Sequence, residues 1–306
     1  MAFFNEAWFI HAVNDTVVQL AQQKVSMIRG AIRTRENVVG KTDPWQRIGD
    51  VSMQPIARDS DTEYLNPPQS KRRAVLVDRA AAVLIDELDQ VRMLTNPQSE
   101  FSQILAFARE RELDSLTLSK STTDVGGILG TATNVDEAGE TTSQGSLPTT
   151  GGPLGVGQVI VDSSQGFTMS KLLDSVQIFD EQNVDPENRY MFYSPRAMRK
   201  LLTDTQVTSA DFSTIQALDR GGFPKDQQWM KYYWRMSTKL PKTGNIRSCI
   251  AVQKMSVGLS VGLIKDIDVS QAPHKWNNTQ VIIKLSAGAV RVDDFGVIEI
   301  RIDESV

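Results

Sequence analysis

The sequence predicts an α+β protein, and three observations carry the prediction. Residues 96–120 read as one long helix, residues 40–86 read as extended chain, and the C-terminal third is rich in strands after a mixed helix and strand region.

The helix is the organising element. Asn96 suits an N-cap, Pro97 fits the first helical position where a missing N–H costs nothing, and Glu100 lies on the favourable side of the helix dipole. Phe101, Ile104, Leu105 and Ala108 recur at helical spacing, and Leu113 and Leu116 extend the stripe. Glu112 breaks it, between Arg109 and Arg111. A charge in an apolar stripe needs a partner, from another part of the chain or from another chain.

Composition narrows the function. At 306 residues, with 40% hydrophobic and 23% charged residues, the chain has the makeup of a globular protein of one large or two moderate domains. A formal net charge of −4 argues against a general nucleic-acid binder. No run reaches the roughly 18–20 apolar residues of a membrane span, and the N-terminus lacks the basic region and cleavage site of a signal peptide. Cys249 is the sole cysteine, so no internal disulfide framework exists and a reducing compartment is expected.

Residues 1–37 read as an arm: Phe3, Phe4, Trp8, Phe9 and Ile10 form an aromatic patch. A second amphipathic helix is expected from Val17 through Ile28, ending near Gly30. It either docks on its own domain or clasps a neighbouring subunit, and the aromatics without a local partner favour the second. From Gly40 onwards, Gln46–Ile56 is expected as one strand interrupted at Pro55, followed by a polar turn region from Arg58 through Asp61 and Glu63 to Pro68. Lys71, Arg72 and Arg73 lead into a returning strand and on to Ala82–Ile85. The pair would form a long β-arm, acidic near its tip and basic on the way back. A lone hairpin is marginal in water, so the arm should lie on something, with opposite charges on a neighbouring subunit as the expected contact.

Thr122–Gly157 is dense in Gly, Thr and Ser and reads as loop, with a short strand at Val159–Val161. No Gly-Lys-Ser/Thr occurs, and Gly155 with Gly157 lacks the third glycine of a dinucleotide fingerprint. Beyond Thr168, helices are expected at Met169–Gln182, with Leu172, Leu173, Val176 and Phe179 on one side, at Pro195–Leu202 and at Ser213–Asp219, with a strand at Arg189–Tyr193. Trp229, Tyr232, Tyr233 and Trp234 are expected as core or as a contact between subunits. Strands follow at Ile246–Val252, Val257–Leu263 and Gln280–Val292. The last turns at Asp293–Gly296 into a half-exposed Val297–Ile302, closing a terminal hairpin.

Catalytic chemistry finds little support. His11 and His274 are far apart, Cys249 sits in an apolar strand, and the carboxylate groups Asp86 with Asp89, Asp266 with Asp268, and Asp293 with Asp294 read as solvated turn residues rather than a metal site. No catalytic, metal or cofactor residue is assigned, and no enzyme activity is expected.

The order of features, and several strings within it, resemble the Hong Kong 97-type major capsid proteins of tailed bacteriophages. The strings are Val18–Arg29, Arg72–Arg73 before a strand, Ile85–Leu94 followed by Asn96–Pro97, Asp180–Pro186, Gln206–Phe212, Cys249–Val252 and Val257–Leu263. The resemblance implies a Hong Kong 97-like capsid fold: an N-arm at 1–37, an extended β-loop at 38–80, a peripheral domain with a long spine helix at 81–124 and 288–306, and a mixed α/β axial domain at 125–287. It implies self-assembly into hexamers and pentamers of an icosahedral or related head around packaged double-stranded DNA, formed as a procapsid in the bacterial host cytoplasm. The chain starts close to its arm, so a separate scaffolding protein is expected, with a portal at one vertex and room for a decoration or cement protein. One branch of the family crosslinks Lys to Asn; Lys71 is the only lysine of the loop after Lys41, and nothing in the sequence establishes that chemistry. The expected contacts between subunits are Phe3, Trp8, Phe9, Arg58, Asp61, Glu63, Lys71, Arg72, Arg73, Arg109, Arg111 and Glu112. Two alternatives stand beside this reading: an encapsulin-type nanocompartment shell, disfavoured by the long loop and arm, and a metal-dependent phosphodiesterase built on the acidic clusters.

Overall fold

The computed structural model describes residues 21–56, 58, 61, 62, 64–86, 98–120, 126–135, 154–203 and 228–305. Phe3, Trp8, Phe9, Glu63, Asn96, Pro97 and the helix expected at 213–219 lie outside them. The chain divides into two compact units. One takes in 78–112 and 264–285 together with the start of the chain, and the other takes in 26–77, 113–263 and 286–306.

The helix expected to end near Gly30 is absent over residues 21–32, which are irregular. Local side chains take the backbone donors that a helix would use. The Ser26 hydroxyl accepts from the N–H groups of Ile28 and Arg29 and donates to Asp114, whose other carboxylate oxygen accepts from Met27 N at 3.0 Å. Serine competing with the backbone in this way favours turns over helix. Three short or medium strands follow: β1 (Arg33–Arg35), β2 (Thr42–Ile48) and β3 (Gln69–Val75). β2 and β3 pair antiparallel through seven residues, Thr42 opposite Val75 and Ile48 opposite Gln69. The strand therefore stops at Ile48, earlier than the expected Ile56, and Pro44 is tolerated because β2 is an edge strand. β4 (Val77–Ile85) continues from β3 into a different sheet.

The long helix is present as α1 (Gln98–Thr117). In its own unit, Leu105 packs with Ile85 and with Val281 and Ile283, and Phe101 lies against the same cluster. Gly-rich chain then contributes β5 (Gly126–Gly127) and β6 (Thr133–Val135), and later β7 (Val159–Ile160). β6 pairs with β3, so the β-arm does have a partner within the chain.

The larger unit holds a seven-stranded sheet. Its elements are β7, α2 (Met169–Glu181), β8 (Arg189–Tyr193), α3 (Pro195–Thr203), β9 (Gln228–Trp229), β10 (Tyr232–Met236), β11 (Lys242–Thr243) and β12 (Ile246–Gln253). The long strands β13 (Val257–Ala272) and β14 (Asn278–Arg291) come next in the chain, and β15 (Val297–Asp303) completes the sheet in the order β7-β15-β12-β8-β10-β9. β8 is buried along its whole length, as its apolar aromatic sequence requires. Thr168 caps α2 by accepting from Lys171 N, and Ser194 accepts from Ala197 N ahead of α3.

Two expectations need correction here. β14 and β15 are consecutive but belong to different sheets, β14 beside β13 and β4, β15 beside β12 and β7. The turn between them redirects the chain instead of closing a hairpin. On α2, Leu173 faces solvent, and the buried face is Lys171, Leu172, Ser175 and Phe179. Lys171 is buried because its ammonium has three backbone acceptors, the carbonyls of Asp162 at 2.7 Å and of Gln165 and Arg301 at 3.1 Å each. Its three donors are matched one for one.

Candidate functional site

The root of the β2–β3 arm is fixed by a buried charged triad. Arg72 on β3 is fully buried, and its guanidinium makes a forked pair with Asp294, at 2.7 and 2.6 Å to the two carboxylate oxygens. The same guanidinium donates to the carbonyl of Arg291 at 2.8 Å. Arg291, also buried, joins Asp294 through Nε and donates to the carbonyls of Ile128 and Gly130 at 3.0 Å each. Burial alone would raise the Asp294 carboxyl. The hydrogen bonds and charges of Arg72 and Arg291 overcome that and hold it at about 2. Two sequence expectations fall with this observation. Arg72 is not a contact for a neighbouring subunit, because no part of it reaches the surface. Asp294 is not a solvated turn carboxylate, because it is the counter-charge of two buried arginines.

Period-2 alternation explains which arm residues are buried. Asp43, Trp45, Arg72 and Ala74 face inwards. Trp45 and Ala74 meet Ala132, Val290 and Val292 in one apolar cluster. The Trp45 indole N–H donates to the Ser260 hydroxyl at 2.8 Å, and that hydroxyl donates to Asp43 at 2.6 Å. Sequence reasoning missed Trp45, Asp43, Arg291 and Asp294. The signal available for the first two was their alternation with exposed residues in a strand.

Past Ile48 and before β3, the described residues of the arm have no regular secondary structure. It exposes Met53, Ile56 and Tyr64, with Met53 fully open to solvent. Arg58 and Asp61 are exposed beside them, and Lys71 and Arg73 are half-buried on the outer face of β3. On α1, Glu112 finds its partner within the chain: Arg79 on β4, at 3.2 Å. Arg109 pairs with the adjacent Glu110, and Arg111 donates to the Gln22 side chain. Since Arg79 and Glu112 both remain substantially exposed, Glu112→Leu is expected to change the unfolding free energy by less than about 1 kcal/mol, as urea titration of the unassembled protein would measure.

The aromatic cluster of β9 and β10 is internal. Trp234 packs edge-on against Phe167 and Tyr193, and its indole N–H donates to the Trp229 carbonyl at 3.1 Å. Cys249 is fully buried, and burial pushes its thiol up to about 12. Glu299, read from sequence as half-exposed, is buried: burial would raise its carboxyl, but hydrogen bonds from Arg301, Lys120 and Ser248 hold it down. Among the described residues no group of three or more His, Cys, Asp or Glu could hold a metal ion, and no helix is long and apolar enough to cross a membrane.

The fold recurs in solved phage capsids. The capsid of Ralstonia phage GP4 superposes with a TM-score of 0.69 at 13% identity, covering 99% of this chain and 98% of that one. The capsid of the cyanophage P-SCSP1u gives 0.67 at 15% identity, covering 96% and 93%. A chain of Mycobacterium phage Che8 gives 0.65 at 12% identity, covering 97% and 98%. No curated protein matches the sequence. The fold is thus the Hong Kong 97-like capsid fold. The family described as phage capsid protein matches residues 6–304, and the chain belongs to that family. Its role is structural, that of a major capsid protein, and its place is the virion capsid. Neither the nanocompartment nor the phosphodiesterase alternative is favoured.

Proposed function

We propose that this chain assembles into hexamers and pentamers that close an icosahedral or related head around packaged double-stranded DNA. The observation that carries the reading is the family match along nearly the whole chain, on a fold shared with solved phage capsids. Assembly in the host cytoplasm on a separate scaffolding protein, with a portal at one vertex and a decoration or cement protein outside, belongs to the same proposal. Residues 81–124 and 288–306 are proposed as the peripheral domain and residues 125–287 as the axial domain, with the N-arm at 1–37 and the extended loop at 38–80. The exposed apolar side chains of the arm support contact with a neighbouring copy, because large apolar groups left in water favour association. Arg58, Asp61, Lys71, Arg73, Arg109 and Arg111 are proposed to contribute charge to contacts between copies. The chain is proposed to work without a cofactor and without catalysis.

Electron microscopy of the protein produced with its scaffolding partner tests the assembly. Closed shells are expected, and shells from infected cells should protect double-stranded DNA from nuclease. Monomers or small compact oligomers under every condition would refute the reading.

A further inference from the structure

A second charged cluster lies at the edge strand β1, and its charges do not balance. The guanidinium carbons of Arg33 and Arg35 each stand 4.4 Å from the centroid of the buried Trp45 ring. Arg35 is closed by Asp43 at 2.5 Å. Asp43 is also committed to Ser260, and through it to the Trp45 indole. Arg33 has no such partner. Among the described residues no carboxylate reaches it, and its Nε is buried without an acceptor. A cleft of about 530 Å3 opens at this point, lined by Arg33, Thr34, Arg35, Pro44, Trp45 and Gln46.

Two guanidiniums and one carboxylate leave one positive charge, held in place by an aromatic face. Stacking has already restricted the Arg33 side chain, so a ligand meets a pre-positioned planar fork. One carboxylate matches that fork and that single charge. A run of phosphates matches less well, because Asp43 sits in the same cluster and repels polyanions.

The chain itself carries a fitting carboxylate. Asp61 is exposed, and it lies on the same irregular arm segment that leaves Met53, Ile56 and Tyr64 in water. In sequence it is the middle of Asp59-Ser-Asp61-Thr-Glu63. A segment with apolar groups to cover and an exposed carboxylate at Asp61 is complementary to a cleft with an aromatic wall and one surplus cation. We infer that the Arg33–Arg35–Trp45 cleft of one copy receives the Asp61 carboxylate of a second copy, an inference that rests on the capsid reading.

The test is a charge swap in the full chain, produced with its scaffolding partner and scored by sedimentation and microscopy. Wild-type shells establish the capsid reading first; their absence would remove that reading and this inference with it. Arg33→Glu and Asp61→Arg are each expected to lower shell yield about tenfold or more, while the combined variant returns to within about threefold of wild type. Single reversals that assemble like wild type would overturn the inference while leaving the capsid reading intact. So would a combined variant no better than its parents. Normal shells of Arg33→Glu that hold less nuclease-protected DNA would place a phosphate in the cleft and likewise overturn it. Melting curves of the unassembled variants confirm folding. Should Arg33→Glu lose its transition, Arg33→Gln and Asp61→Asn, which remove charge without reversing it, carry the comparison: each lowers yield if the pair exists and neither does if it does not.

Discussion

Asp294→Ala is expected to lower the unfolding free energy by about 3–5 kcal/mol, the range for removing one partner from a buried ion pair. The triad explains why the loss should be large. Arg72 and Arg291 are both fully or almost fully buried and share this one carboxylate. Removing it takes from two buried guanidiniums the carboxylate that they share. Arg72→Met should be milder, because Arg291 and Asp294 remain as a neutral pair and the methionine refills part of the space. A urea series that ranked Arg72→Met as the more damaging change would contradict this account of the charges. The same carboxylate gives a pH dependence of defined sign. Folded, it titrates at about 2, below the ordinary value of 3.8. A depressed folded value means that its contribution is fully present above the ordinary value and is lost as pH falls from about 4 towards 2. The amount is about 2 kcal/mol, at about 1.4 kcal/mol per pH unit. In Asp294→Ala that part of the acid sensitivity should be missing.

This triad also marks where sequence reading stopped. The long helix was legible because its apolar spacing is local, and its burial follows the predicted stripe at Leu105, Leu113 and Leu116. Strands β8, β12 and the first half of β13 were legible because apolar runs have few other uses, but β13 continues past the expected Leu263 to Ala272 through a more polar stretch. Arg72 and Asp294 are separated by 222 positions, and nothing in either neighbourhood signals the other. Carboxylates in a turn between two strands are usually solvated, so Asp294 looked ordinary. The same holds for Trp45 and Ser260, 215 positions apart, whose hydrogen bond exists only because β2 and β13 are folded. The missing helix before Gly30 has a different cause. Its apolar spacing was real, but Ser26 and Asp114 compete for the backbone N–H groups that the helix needed. Periodicity records which side chains want burial, and a distant carboxylate can decide what the backbone does about it.

Gly288→Ala is expected to destabilise the larger unit by about 3 kcal/mol or somewhat more, and Gly258→Ala by less. Both glycines sit where another element presses on the backbone, but what presses on them differs. A Cβ on Gly258 would stand 2.5–2.8 Å from three ring carbons of Trp45. That neighbour is a side chain, and it can tilt at the expense of its bond to Ser260. A Cβ on Gly288 would stand 2.7 Å from the Val75 carbonyl carbon, closer still to its oxygen, and 3.2 Å from Leu76 N. That neighbour is the peptide joining β3 to β4, and Leu76 N is already tied to the Lys41 carbonyl at 2.9 Å. Backbone can yield only if strands separate, so the strain at Gly288 spreads into the β2–β3 pairing. Second-site changes separate the two cases. Shrinking Trp45 to Leu should recover part of the added strain in Gly258→Ala, measured against Trp45→Leu alone. Shrinking Val75 to Ala should recover none in Gly288→Ala, because the obstructing atoms belong to every residue type. Recovery of the urea midpoint in Gly288→Ala by Val75→Ala would mean that a side chain, not the peptide, holds β14 at its distance.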